Sequence, residues 1–232
     1  MKNTFNGERL ILLGGGESLD ELTQEKVDKL KDNGYHFMTL NHYIKYINLS
    51  LTSNHIVLSD PNSIKRVIED SVDSMSENTK IYIPCSKNIN KLLKNNSNLL
   101  SKCNPRNLHF FIDNEIRINR MPISPVLPRN YTSMTAYKAL SLALHLGYSK
   151  IYILGIDNTY LRDTYVNQNN DILAYVSRSK TSSVKEYTYK AMKTSFNSIS
   201  EWILDIHRLF SDLNLFYDKR NPNRIINLDP YS

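Results

Sequence analysis

Leu10-Ile11-Leu12-Leu13-Gly14-Gly15-Gly16-Glu17-Ser18 is the stretch from which the fold is read. Four consecutive apolar residues, bounded at once by a glycine triplet, have the length and composition of a strand buried on both faces. The glycines permit a tight turn or a close approach of backbone to a ligand. A helix follows, in which Leu19, Leu22, Val27 and Leu30 recur at helical spacing. Ser18 or Asp20 is its expected cap and Gly34 its stop. Strand, glycine turn and helix in that order are the opening of a parallel α/β sheet.

The alternation runs to the end of the chain. His36-Phe37-Met38-Thr39-Leu40 and Ile56-Val57-Leu58 read as the second and third strands. Asp60-Pro61 opens a helix through Ile64, Val67 and Ile68, with proline at the first helical position. Ile81-Tyr82-Ile83 and residues 108–112 are further strands, and the Asn-, Lys- and Leu-rich stretch 88–104 between them reads as helical. After the proline-punctuated loop 122–128, residues 133–146 form the clearest helix, stopped by Gly147, and Ile151-Tyr152-Ile153-Leu154 is another short buried strand. Residues 158–183 are polar, without a period, and are expected to form a long loop, functional or partly disordered. A helix over about 184–213 and two strand-like runs, 213–217 and 225–228, close the sequence. The expected fold is α/β and Rossmann-like, a mostly parallel sheet flanked by helices, with a small lid at 158–183. No repeat or linker divides residues 1–232, which read as one domain.

Composition narrows the function classes. Hydrophobic residues make up 41% and charged residues 22%, which excludes a chain disordered throughout, a collagen-like chain and a coiled coil. The net charge of +6 is a modest excess. Taken as spread along the sequence, it favours nucleotides, phosphates or a membrane surface no more than it favours an evenly solvated surface. Cys85 and Cys103 are too few for a disulfide framework and suit a reducing compartment. Neither has a Cys-x-x-Cys or His-x-x-x-His pair beside it, so no metal site is expected. Residues 1–8 lack a signal-peptide core, and no apolar run approaches the roughly 18 residues of a membrane span. The expected location is the cytoplasm, with peripheral association at the inner face of the cytoplasmic membrane left open.

The candidate site follows from the strand ends. In an open parallel sheet ligands lie over the carboxyl ends of the strands. Gly14, Gly15, Gly16 and Ser18 after the first strand, Asn41 after the second, Ser59-Asp60 after the third and Asp157 after Leu154 converge there. Each taken singly is a turn or cap residue, Asp60 most plainly so. Thr132 and Ser133 can cap the helix that follows and leave backbone N–H groups facing the same crevice. In the 158–183 segment Tyr160, Asp163 and Tyr165 join Arg162 and Lys180. Phenol hydroxyls and cations suit a developing anion on a leaving phosphate, and a polar lid without a catalytic member is the plainer alternative. None of the six histidines lies in the segment, and Asp-x-Asp is absent from the chain.

Three blocks together resemble the bacterial sialyltransferases of glycosyltransferase family 42. Leu12-Leu13-Gly14-Gly15-Gly16-Glu17-Ser18-Leu19 is similar to their Gly-Asn-Gly-Pro-Ser-Leu opening, and Thr39-Leu40-Asn41-His42-Tyr43 to their Cys-Asn-Gln-Phe segment. Thr132-Ser133 with Leu146-Gly147-Tyr148-Ser149-Lys150-Ile151-Tyr152-Ile153-Leu154-Gly155-Ile156-Asp157 resembles their Thr-Ser helix and the Leu-Gly-Tyr block after it. The resemblance implies a Rossmann-like sheet with a lid that binds CMP-sialic acid, needs no cofactor or metal and transfers the sugar with inversion to a glycan of a capsule, lipooligosaccharide or O-antigen. It places Gly14 to Ser18, Asn41, Asp60, Thr132, Ser133 and Asp157 on the donor nucleotide, and Tyr160 and Tyr165 on the departing phosphate. Gly15 stands where the family has asparagine, and the family's lid histidine has no counterpart, so the base falls to a carboxylate, Asp163. The implied partners are a CMP-sugar donor and a glycan acceptor, with no nucleic acid; homo-oligomerisation and truncation after Ser232 stay open. The same glycine and Leu-Gly patterns occur in a related family that includes flagellin-glycosylation factors and 6-hydroxymethyl-dihydropterin diphosphokinases. The alternatives are therefore an ATP- and Mg²⁺-dependent pyrophosphokinase-like enzyme and a catalytically inactive nucleotide-binding protein of glycan assembly.

Overall fold

The computed structural model describes residues 1–41, 49–70, 75–118, 121–156, 164–166, 168, 172–180, 187–193, 199–216 and 221–228. Its strands are β1 (Arg9–Leu13), β2 (Tyr35–Leu40), β3 (His55–Val57), β4 (Lys80–Cys85), β5 (Leu108–Ile112), β6 (Lys150–Leu154), β7 (Thr164–Val166), β8 (Ile172–Lys180), β9 (Tyr187–Lys193) and β10 (Ile225–Asn227). The helices are α1 (Gln24–Asp32), α2 (Pro61–Asp70), α3 (Lys87–Asn95), α4 (Thr135–Leu146) and α5 (Ile199–Phe216). Seven strands form one sheet in the order β10-β6-β1-β2-β3-β4-β5, parallel at every pairing. β7, β8 and β9 form a separate antiparallel sheet.

Side-chain alternation builds three layers. Leu10 and Leu12 of β1, with Met38, Leu40, Val57, Tyr82 and Phe111, face α4 and α5, from which Ala136, Ala139, Ala143, Leu209 and Phe216 meet them. Ile11, Leu13 and Phe37 point the other way, onto Val27 of α1. Farther along that second face Ile56, Ile81 and Ile83 pack on Ile64, Val67 and Ile68 of α2 and Ile89 of α3. All seven strands of the main sheet lie where the apolar runs place them. The alanines of α4 keep that helix close to the sheet, and Gly147 closes it in the left-handed conformation (φ 95°).

Several boundaries differ from expectation, each for a visible reason. The cap of α1 is neither Ser18 nor Asp20: Glu17–Glu21 is a 3-10 turn, and Thr23 caps α1 by accepting from Lys26 N–H. Thr132 and Ser133 do not cap α4, which starts at Thr135 after an uncapped Met134. The helical reading of 88–104 holds only for α3, after which 3-10 turns at Leu99–Lys102 and Pro105–Asn107 lead into β5. The segment 158–183, read as loop, contains β7 and β8, and the helix expected from 184 gives way to β9 before α5 begins. Tyr187-Thr188-Tyr189 are strand formers, and their pairing partners lie in β8. The run 213–217, read as strand, continues α5 as far as Phe216.

At the amino edge of the sheet a polar chain runs from Glu8, whose side chain is 43% exposed, through His36 to the buried Tyr148, His55 and Tyr82. His36 Nε2 lies 3.0 Å from the Glu8 carboxylate, which can only accept, so in a neutral His36 it is Nδ1 that accepts, from the Tyr148 hydroxyl at 2.8 Å. Tyr148 Oη then accepts from His55 Nε2–H at 2.6 Å, and His55 Nδ1 accepts from the Tyr82 hydroxyl at 3.1 Å. Phe5 stacks on Tyr148 and meets both histidines edge-on. Burial above all, then the charges of His36, His109 and Lys80, lower the His55 pKa to about 3.

An unfolded imidazole titrates near 6.5. Between 6.5 and 3 protons therefore bind the unfolded chain preferentially, and the stability His55 contributes above 6.5 is lost as the pH falls. From pH 7 to 4.5 His55 alone should remove about 2–3 kcal/mol. Urea unfolding at the two pH values tests this: His55→Gln is less stable at pH 7 but loses less on acidification than the unchanged chain. Equal losses would contradict the assignment.

Candidate functional site

Parallel pairing puts the carboxyl ends of all seven strands on one edge. From β1 the chain steps outward through β2, β3, β4 and β5 with α1, α2 and α3 on one face; α4 on the other face then returns it to β6, on the opposite side of β1. The order reverses between β1 and β6, the point at which open sheets leave a crevice for ligands.

At that point two backbones nearly touch. A Cβ on Gly14 would lie 2.1 Å from the Gly155 carbonyl oxygen and 2.7 Å from Ile156 Cγ1. Gly155 has φ 75°, and its own Cβ would meet Gly14 at 3.1 Å. Gly14 N–H donates to Leu154 O and Gly16 N–H to Gly155 O, both at 2.8 Å. Gly155 N–H donates to the buried Ser18 Oγ, also at 2.8 Å. Gly14, Gly16 and Ser18 therefore join the two strand ends. Gly15, half-buried, is the member of the triplet with backbone turned to neither strand in these bonds.

Next to it, Asn41 ends β2 with φ 47°, a conformation that asparagine tolerates better than most residues. Its Oδ1 accepts from Ser59 N–H at 3.0 Å and from Asp60 N–H at 3.4 Å, while its Nδ2 donates to Thr135 Oγ1 at 3.3 Å. Ser59 Oγ is also bonded to Thr135 Oγ1. Asp60 caps α2, accepting from Ser63 N–H at 2.6 Å. Asn41 is thus the organiser that holds the ends of β2 and β3 against the first turn of α4. Ser133 is exposed just before that turn.

Thr132 faces elsewhere. Its N–H and its hydroxyl both donate to Asp212 Oδ2 of α5 at 2.6 Å, and Arg117 grips the same carboxylate through Nη1 and Nη2. Arg117 also pairs with Glu115, which pairs with Arg129, which pairs with Asp113, which pairs with Lys138 of α4. Three cations alternate with three carboxylates, and the inner pair is dry: Lys138 and Asp113 side chains are 4% and 6% exposed. Burial would raise the Asp212 carboxyl, but the bonds from Arg117 and Thr132 outweigh it and hold it below its usual range. Burial likewise lowers Lys138 against the pull of Asp113. The network fixes the exit of β5, the approach to α4 and the second half of α5 relative to one another.

Of the remaining candidates, Asp157, Tyr160 and Asp163 lie outside the described residues, and Tyr165 is placed only as the middle of β7, opposite Leu173. Sequence inspection missed Thr135, Arg129 and Asp212. Thr135 was hidden behind the expected Thr132-Ser133 cap, and the partners of the other two are distant in sequence. Among the described residues no group of three or more His, Cys, Asp or Glu could hold a metal ion, and no helix is long and apolar enough to cross a membrane.

No family model matches the chain, and no curated protein matches it. Among solved structures it is similar to the MAf glycosyltransferase from Magnetospirillum magneticum AMB-1, with a TM-score of 0.50 and 12% identity over 98% of this chain. The chain spans about a third of that protein's length, 35%. At this identity the likeness is one of fold.

The contact between Gly14 and Gly155 has a measurable cost when filled. Gly14→Ala drives a methyl into backbone and should lower the unfolding free energy by about 2–4 kcal/mol in urea denaturation. A loss below about 0.5 kcal/mol, the scale of an ordinary surface change, would mean that the strand ends are not so closely joined.

Proposed function

We propose that the chain is a glycosyltransferase that moves a sialic acid or related nonulosonate from a CMP-activated donor to a bacterial surface glycan, inverting and without a metal. What supports this is the carboxyl edge itself, where Gly15 follows β1, the Asn41–Ser59–Thr135 cluster ties the ends of β2 and β3 to α4, and the exposed Ser133 stands just before that helix. The fold likeness to a protein named a glycosyltransferase supports it at the level of architecture, and the family 42 resemblance of the same segments supplies the donor.

In this reaction Gly15 admits the donor phosphate close to the backbone, and Ser133 takes the sugar carboxylate beside the amino end of α4. Asn41 acts on the donor through the loop it organises. The acceptor hydroxyl oxygen attacks the anomeric carbon as the bond from that carbon to the phosphate oxygen breaks, and CMP leaves with the electron pair. The hydroxyl proton passes to Asp163. Tyr160 and Tyr165 donate to the departing phosphate, each contributing about 2–4 kcal/mol at the transition state, the scale of a single oxyanion donor. Residues 158–183 close over the nucleotide.

Calorimetry with CMP, CMP-sialic acid, UDP-sugars and ATP with Mg²⁺ tests the reading. CMP compounds should bind without metal, and Gly15→Val should weaken them at least tenfold while its melting temperature stays that of the unchanged chain. Tyr165→Phe should then lower kcat with donor affinity retained. Binding of ATP with Mg²⁺ alone would move the chain to the diphosphokinase-like class, and no binding to any of them would remove nucleotide chemistry altogether.

A further inference from the structure

The positive charge of this chain is not spread along it. Between Asn78 and Ile112 there are six Lys or Arg and no Asp or Glu, so this segment alone carries as much net charge as the whole chain, +6. Outside it, cations and anions balance.

Five of the six cations are exposed, while Lys80 is half-buried and donates to Asn107. Lys87, Lys91 and Lys94 stand at i, i+4 and i+7 of α3, one stripe along the helix, and all three are exposed. Ile89 is buried in the core and Leu92 and Leu93 pack against it, so the stripe is the outward side of an amphipathic helix. Lys102 and Arg106, in the two 3-10 turns that follow, are exposed as well. None of the five forms an ion pair among the described residues. α2, packed beside α3, presents Lys65 and Arg66 against Glu69 and Asp70 and adds no net charge. Along the chain the nearest acids are Glu77, exposed, and Asp113, which is held by Arg129 and Lys138.

The side of the sheet that α3 covers also has uncovered apolar surface at its edge. Leu108 of β5 packs on the α2–α3 side of the sheet, and strand alternation puts Phe110 and Ile112 on that same side. β5 is the edge strand, and Phe110 is 50% exposed and Ile112 39%. Val126, 59% exposed, is close by, because Pro125 O accepts from Ile112 N–H.

We propose that the α3–β5 face is a docking surface for an anionic phospholipid membrane. Clustered lysines on the polar side of a surface helix are drawn to anionic headgroups, and a neighbouring aromatic and aliphatic pair gives the contact an apolar component. Nucleic acid fits less well, since Phe110 is the one exposed aromatic ring of β4, α3 and β5, and a platform for successive stacked bases needs several. This inference does not rest on the proposed reaction. It would hold the carboxyl edge and the sheet face at a fixed attitude to a bilayer.

Flotation of the full chain with phosphatidylcholine vesicles, with and without 30 mol% phosphatidylserine, tests it. The chain should float only with the anionic vesicles, and 0.5 M salt should weaken the association. Lys87→Gln/Lys91→Gln/Lys94→Gln should lower the bound fraction at least tenfold. The matched change on α1, Lys26→Gln/Lys29→Gln/Lys31→Gln, should retain it within about twofold, because each lysine near an anionic surface counts for roughly fivefold only when it faces that surface. Phe110→Ser should weaken binding at both salt concentrations. Circular dichroism confirms that each variant is folded. The proposal is overturned if the unchanged chain stays with the unfloated protein, if the α1 variant loses as much as the α3 variant, or if single-stranded RNA binds the α3 surface while vesicles do not.

Discussion

The approach of Gly14 to Gly155 is the constraint on which the carboxyl edge depends. Two strand ends meet there with no room for a side chain on Gly14 and a tight fit at the left-handed Gly155, and three hydrogen bonds from Gly14, Gly16 and Gly155 tie them together. Because the chain leaves β1 in one direction and returns to β6 from the other, this contact lies at the switch in strand order, the place where open sheets bind ligands. A side chain at Gly14 would push the strands apart there. Gly14 and Gly16 of the triplet serve the scaffold, while Gly15 is half-buried and takes no part in the bonds that join the two strands.

A second contact does comparable work from outside the sheet. Asp212 of α5 receives the N–H and the hydroxyl of Thr132 and both amino groups of Arg117, and beyond it the alternating charges run to Lys138. Buried ion pairs add little net stability beside a packed apolar alternative, but loss of one partner is costly. Their effect here is geometric. They fix the short approach to α4, Thr132 to Met134, where Ser133 is left exposed between a residue bound to α5 and Thr135, which is bound to Asn41 and Ser59. At the opposite edge, the Glu8–His36–Tyr148–His55–Tyr82 chain fixes the entry of β2, β3, β4 and β6, and Phe5 seals it. One edge is locked by packing and directed hydrogen bonds, while the other keeps polar groups at the surface.

The seven parallel strands were legible in the sequence because a strand buried on both faces is an unbroken apolar run, as in Leu10 to Leu13 and Ile151 to Leu154. α4 was legible from its alanines and from Gly147. The small sheet was not: Ile172 to Val176 is also an apolar run, but it is set in a segment read as polar throughout, and β8 continues through Ser177-Arg178-Ser179-Lys180, which carry no strand pattern. Cap residues misled for a related reason. Ser18 and Thr132 have the chemistry of helix caps, yet each is bonded to a residue far along the chain, Gly155 or Asp212. Strand ends at the carboxyl edge could be listed from the sequence, whereas Thr135, Arg129 and Asp212 acquire their meaning only when α4 and α5 are seen against them.

The central claim is that the strand reversal between β1 and β6 is where a nucleotide-activated donor binds. Amide hydrogen exchange of the full chain with and without CMP measures it directly. Protection should appear in the peptides that contain Gly15, Ser59 and Ser133, while the amino-edge peptides that contain Phe5 and His55 exchange as before. Protection confined to other segments, with Gly15 and Ser133 unaffected at saturating CMP, would contradict the account.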